Sequence, residues 1–254
     1  MKLVLSPAKS LNFENVPQLN GYTQPAFLKE SESLVGQLKK MTPKKIGDLM
    51  NVSEQLSNLN YQRYQDWKLP FTQDNAKPAL YVFTGDAYRG MDARSFSEEE
   101  VNFANTSLRI LSGLYGVLKP SDLMQPYRLE MGTKFPGNQK AKNLYQFWGD
   151  KIVDALNEEM NEQEALVNIA SNEYFKAINT KKLKGKLITC LFKENKAGVY
   201  KVVMSYAKFA RGLMARFVIQ NKINEVEHLK AFDLDGYMFN NSLSTDNEFV
   251  FTRG

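Results

Sequence analysis

The spacing of apolar residues along the chain changes character twice. A strand is predicted over residues 2–5, where Leu3, Val4 and Leu5 run into a turn at Ser6 and Pro7, because proline ends sheet pairing. Such a strand would lead the fold or lie at its edge. Over 25–40, Phe27, Leu28, Leu34, Val35 and Leu38 recur at helical spacing, and Thr42 followed by Pro43 announces a second helix with a capping residue and proline at its first position. A third helix is predicted over 53–65 after a short break at Asn51 and Val52, so the first third of the chain is largely helical.

Beyond this point strands and helices alternate. Apolar runs predict strands at 79–84, 108–111, 166–170 and 187–193, and 199–206 returns as a hairpin partner of the last across Asn195 to Gly198. Ser97 with Glu100 forms a capping-box pattern opening one helix. A long amphipathic helix is expected over 143–163, and another over 207–221 with Phe209, Leu213 and Phe217 as its buried stripe, beside Met214 and Val218. A hairpin of Tyr237 to Phe239 with Phe249 to Phe251 closes the pattern. The class is therefore mixed α/β (α+β): one mixed sheet flanked by helices, behind an N-terminal helical segment, in a single domain spanning 1–254.

Composition narrows the chemistry. The chain has one cysteine, Cys190, and one histidine, His228, about 40 positions apart, which argues against zinc or iron sites built from sulfur and nitrogen donors and against Ser-His-Asp or Cys-His nucleophiles. Neither a metal nor an organic cofactor is expected. No apolar run approaches the roughly 20 residues of a membrane span, and the expected compartment is the cytoplasm.

Charge then singles out a partner. The chain carries +5 overall, but the segment 176–222 holds twelve basic residues against one acid, Glu194, a local +11 that leaves the remainder at −6. A one-signed face of this kind concentrates polyanions and contacts phosphates through counterion release, so nucleic acid is the expected partner and a solvated lysine-rich surface the plain alternative.

Four constellations carry candidate chemistry. The two helices on either side of Asn51 have the spacing of a helix-hairpin-helix, within about 42–66, in which Asn51 takes the left-handed turn that glycine usually supplies and Ser53 caps the second helix, with Lys44 and Lys45 just before it; as both glycines of the motif are absent, a plain αα-corner packing onto the sheet is the alternative. Alternation over 125–132 places Arg128 and Glu130 on one face and Tyr127, Leu129 and Met131 on the other, as a site pair or an exposed ion pair. At 170–176 a strand gives way to a helix capped by Ser171 or Asn172, where α/β folds place ligand residues such as Glu173. Lys208 and Arg211, three apart on one helix, are placed as a phosphate clamp or as a solvated helix flank, beside Gly212 and Ala215, whose small side chains admit a backbone or a ligand.

Seven blocks occur together and in order: Ser-Pro-Ala-Lys at 6–9, Phe-Thr-Gly-Asp at 83–86, Leu-Ser-Gly-Leu-Tyr-Gly-Val-Leu at 111–118, Gln-Pro-Tyr-Arg-Leu-Glu-Met-Gly at 125–132, Leu-Tyr-Gln-Phe-Trp-Gly at 144–149, Ala-Ser-Asn-Glu-Tyr-Phe at 170–175 and Tyr-Ala-Lys-Phe-Ala-Arg-Gly-Leu-Met at 206–214. In these the chain resembles the bacterial YaaA family of peroxide-stress proteins. The resemblance implies a cytoplasmic DNA-binding protein that limits unincorporated iron and protects DNA and proteins from oxidation; a monomer is expected, with the oligomeric state left open by the sequence. It also implies a helix-hairpin-helix, falling on 49–59, and a basic cleft lined by Lys9, Arg128, Lys176, Lys208 and Arg211. Binding would be to duplex or structured DNA, largely without sequence specificity. An open alternative is an enzyme acting on a nucleotide or nucleic acid, with Glu130 or Glu173 as acid or base and Lys9, Lys208 and Arg211 holding phosphate. With so few soft donors, any effect on iron would be indirect.

Overall fold

The computed structural model describes residues 1–254 and is organised around one mixed sheet of eight strands. Strand β1 (Lys2–Leu5) lies at its centre, pairing in parallel with β5 (Leu108–Ser112) on one side and β8 (Ala165–Asn168) on the other. The expected edge strand is thus a central one. Val4 and its neighbours are buried on both faces of a parallel sheet, which is why the run reads as continuously apolar. Strand β9 (Lys186–Lys196) continues the parallel set beyond β8, and β12 (Glu248–Arg253) continues it beyond β9. Antiparallel strands finish the sheet: β6 (Gly116–Leu118) on β5, β11 (Met238–Phe239) on β12, and β10 (Val199–Lys201) on β9, the last pair joined by a tight turn with Ala197 and Gly198 at positive φ. Two-strand ladders link β2 (Ser10–Leu11) with β4 (Phe83–Thr84) and β3 (Lys77–Pro78) with β7 (Leu123–Met124).

This topology has a switch point. From β1 the chain builds outward to β5 and β6, then returns across β1 to lay down β8 and β9 on the opposite side. The loops leaving the carboxyl ends of β1 and β8 therefore diverge, opening the crevice in which α/β sheets place ligands.

The helical segment matches its expectation closely. Helix α1 (Leu28–Leu38) buries Leu34, Val35 and Leu38; α2 (Pro43–Met50) is capped by Thr42 with Pro43 at its start; α3 (Glu54–Asp66) is capped by Ser53. Asn51 between them is left-handed (φ 50°, ψ 58°), the conformation its short polar side chain tolerates.

Three expectations are corrected. The strand expected at 79–84 is a single helical turn, α4 (Ala79–Val82), followed by the short β4, all of α4 being buried. A short fully buried apolar run carries no period with which to separate helix from strand. The long helix expected at 143–163 is two pieces, α7 (Leu144–Trp148) and α8 (Lys151–Glu158), broken at Gly149 with φ 50° and ψ −120°. The apolar stripe keeps its phase across the break, which hides it in the sequence. Helix α10 (Met204–Gln220) begins earlier than expected, and its buried face is Ala207, Ala210, Met214, Ala215, Val218 and Ile219, with Phe209, Leu213 and Phe217 only half-buried at its flank.

Small residues fix where α10 sits. It packs against α5 (Asp86–Met91), with Gly212 facing the Ala87 carbonyl and Gly90 facing the Phe209 carbonyl; a Cβ on Gly212 would overlap that oxygen. The close approach expected at Gly212 is made by a helix backbone. Helix α6 (Glu98–Ser107) shows the full capping box, Ser97 with Glu100, and leads into β5. The four-residue α9 (Asn172–Phe175) follows β8.

Candidate functional site

A cavity of about 320 Å³ opens at the carboxyl end of β1, between the loop that follows it and the loop that follows β8. Its floor joins the two strands. The Ser6 hydroxyl accepts a hydrogen bond from the Ser171 amide (2.8 Å) and donates to the Ser171 hydroxyl (3.1 Å), while Tyr88 of α5 donates to the Ser6 carbonyl (3.0 Å). Ser171 stands at the start of α9 without capping it, because its oxygen is turned to Ser6. Its own hydroxyl proton has no acceptor among these bonds.

One wall is acidic. The extended segment 125–131 alternates as the sequence suggests, with Tyr127, Leu129 and Met131 buried and Arg128 and Glu130 on the other face. Tyr127 is tied to Ser112 at the end of β5 (2.7 Å), and Tyr64 of α3 donates to the Arg128 carbonyl, so the helical segment braces this wall directly. Glu130 is held by two cations: Lys9 at 2.7 Å on one oxygen and Arg128 at 3.1 Å on the other. The buried Nε of Arg128 has no partner. Glu173 of α9 accepts from the Gly132 amide at 2.9 Å through one oxygen and leaves its second without a protein partner. Asp86, at the start of α5, also lines the cavity and pairs with Arg89 at 3.0 Å.

The other wall is α10, which contributes Lys208 and Arg211. Lys208 is exposed. Arg211 is half-buried, makes no hydrogen bond or ion pair with the protein, and has its pKa lowered by burial. An arginine stays charged in any protein environment, so the fold holds an uncompensated cation at the cavity wall. Burying a charge without a partner is costly. Burial also drives the phenols of Tyr88 and Tyr174 well above their ordinary range, keeping both neutral.

Of the residues singled out from the sequence, Lys9, Glu130, Glu173, Lys208 and Arg211 come together around this cavity. Arg128 lies directly behind Glu130 in a small adjoining recess. Lys176 is exposed at the end of α9 and is not among the lining residues, so the cleft differs there from expectation. It sits about 4.5 Å farther along the helix axis than Glu173, at 1.5 Å per residue. Lys44, Lys45, Asn51 and Ser53 form a separate exposed corner on α2 and α3, where Thr42 and Ser53 accept from the Lys45 and Leu56 amides at 3.4 Å. Ser6, Ser171, Asp86, Tyr88 and Tyr174 also line the cavity and were not singled out as site residues. A pattern could have found the serines, since each directly follows the apolar run of a buried parallel strand.

Cys190 lies in the core of β9, where burial pushes its thiol up to about 12, so it is a protonated packing residue at neutral pH. No helix is long and apolar enough to cross a membrane.

Comparison with known proteins places the chain in a family. A UPF0246 protein of Aliivibrio fischeri is 53% identical over 255 residues, covering all of this chain and 98% of the relative. Others from Saccharophagus degradans and Dechloromonas aromatica are 51% and 48% identical, each match covering all of this chain and 99% of the relative. The family model described as peroxide stress protein YaaA matches residues 1–243, a span that runs from β1 through every wall of the cavity, and the chain accordingly belongs to that family.

Proposed function

We propose that this protein serves peroxide defence by binding DNA, in duplex or structured form and largely without regard to sequence, with the cavity rim at Lys208 and Arg211 as one phosphate contact and the α2–α3 corner as another. The observation that carries this reading is Arg211, a half-buried guanidinium with no counter-charge from its own chain. A phosphate would supply the missing partner, and charge-assisted hydrogen bonds of this kind are the strong ones. Lys44 and Lys45 at the α2 N-terminus, with the left-handed Asn51 and the Ser53 cap, give the second contact backbone amides as well as charge. Protection of DNA and a lowering of unincorporated iron would follow from this binding rather than from coordination of the metal.

The test is DNA affinity as a function of salt. Each neutralised phosphate contributes a slope of about −0.9 in log K against log salt. Lys208→Ala/Arg211→Ala should flatten that slope by about one contact, roughly 0.9, and Lys44→Ala/Lys45→Ala should flatten it independently. A wild-type protein whose affinity is flat in salt, or which strongly prefers one sequence over a scrambled duplex, would refute the proposal.

The acid–base alternative has one observation on its side, the placement of Glu130 and Glu173 in the same cavity as the cations. Glu130 makes the weaker case as a base, because Lys9 and Arg128 occupy both its oxygens. If Glu173→Gln kept DNA affinity yet abolished peroxide protection, catalysis would become the better account.

A further inference from the structure

The cavity is built for something smaller than a double helix. Its volume, about 320 Å³, is at the lower end of the small-ligand range of roughly 300–1,000 Å³. A duplex, whose major groove alone is about 12 Å across, can meet the rim but not fill the space behind it.

The lining is also wrong for a track of successive phosphates. Lys208 and Arg211 suit one anionic group; Glu130 and Asp86 are already paired with Lys9, Arg128 and Arg89, and the unpaired carboxylate of Glu173 would repel a second anion. What Glu173 lacks is a hydrogen-bond donor for its second oxygen. Glu173 has one carboxylate oxygen free, and next to it the Ser171 hydroxyl still has its proton to give. A ligand that fits has a single phosphate at one end and hydroxyl or amino donors, with an acceptor for Ser171, at the other.

We propose that the cavity takes one nucleotide unit, a nucleoside 5′-phosphate, with its phosphate on Lys208 and Arg211 and its sugar or base edge toward Glu173 and Ser171. The unit has two possible sources, a free mononucleotide or an unpaired nucleotide turned out of a DNA strand, and both present the same chemistry. Turning a nucleotide out costs least where it is already unpaired. This assignment rests on the DNA reading only for the second source.

The experiment measures binding of three probes: free deoxyadenosine 5′-monophosphate, a fully paired duplex, and that duplex carrying one unpaired deoxyadenosine. Each is measured with wild type, Ser10→Trp and Lys208→Glu. Ser10 lines the cavity and is exposed, as is Lys208, so an indole or a carboxylate can be placed there with the core untouched; thermal melts check the fold of each variant. Wild type should bind the duplex with the unpaired nucleotide about tenfold tighter than the paired one, a difference of about 1.4 kcal/mol. The mononucleotide should compete for that preference, and both variants should erase it. Direct binding of the mononucleotide, lost in both variants, without a preference between duplexes supports the free source, and the preference without mononucleotide binding supports the DNA source. The proposal is overturned if wild type shows neither, or if both effects survive in Ser10→Trp and Lys208→Glu. Loss of the paired-duplex signal alone would count against the DNA reading and leave the cavity assignment standing.

Discussion

Arg211→Met would keep the packing of the aliphatic stem while removing a charge that the folded chain does not balance. Replacing a buried charge by an apolar group of similar volume is commonly neutral or stabilising. The variant should therefore melt at or above the wild-type temperature while its DNA affinity falls and its salt slope flattens. A clear drop in melting temperature would mean that Arg211 has a structural partner after all. The alternation of residues 127–131 disclosed the Arg128–Glu130 pairing in advance, because period two is a local property of extended backbone. Lys9 as the second partner of Glu130 was not legible in any spacing, since 121 positions separate them in a chain that only the β1 loop and the 125–131 segment bring together.

Between elements, the contact of α5 with α10 sets the width of the cavity, since Asp86 and Tyr88 come from one helix and Lys208 and Arg211 from the other. Gly212→Ala forces a methyl into the Ala87 carbonyl. The helices must separate, at a cost of about 1–3 kcal/mol or more. Denaturant unfolding should show this as a lowered midpoint with little change in slope, and DNA affinity should fall with it as Arg211 shifts. An unchanged midpoint would show that the two helices part freely. A glycine in mid-helix announced an unusual approach from the sequence alone; that the approaching group is a backbone carbonyl could be known only from the packing.

Across the whole molecule, stability and charge each carry a consequence. Asp122 is buried beside β7, where its carboxylate accepts from the Thr23 hydroxyl (2.5 Å) and the Lys119 amide (2.7 Å), and burial raises its pKa to about 6. The unfolded chain releases this proton near pH 4. Between about 4 and 6 the folded state binds more protons, so the group's contribution to stability is full below about 4 and is lost as pH rises through 6. Asp122→Asn does not titrate, and it keeps both contacts with its oxygen accepting from the Lys119 amide and its NH2 donating to the Thr23 hydroxyl. Its melting temperature relative to wild type should rise between about pH 4 and 6 and then level off; a constant difference across that range would contradict the burial argument. The basic excess of 176–222 is also thinner on the surface than its count implies. Lys182, Arg216 and Lys222 are paired with Asp150, Asp92 and Glu99, and of the nine others only Lys208 and Arg211 line the cavity.

What the residues alone disclosed is local: the caps at Thr42, Ser53 and Ser97, the left-handed turn at Asn51, the apolar strands β1, β5, β8 and β9, and the family through its seven blocks. These depend on backbone preferences and side-chain periods within a few residues of one another. Tertiary structure decided what depends on strand order: that β1 is central, that the chain reverses across it, and that the crevice so opened gathers Ser6, Glu130, Ser171, Glu173, Lys208 and Arg211. Pairing between strands far apart in the chain leaves no period to read, so the site exists only once the sheet has formed.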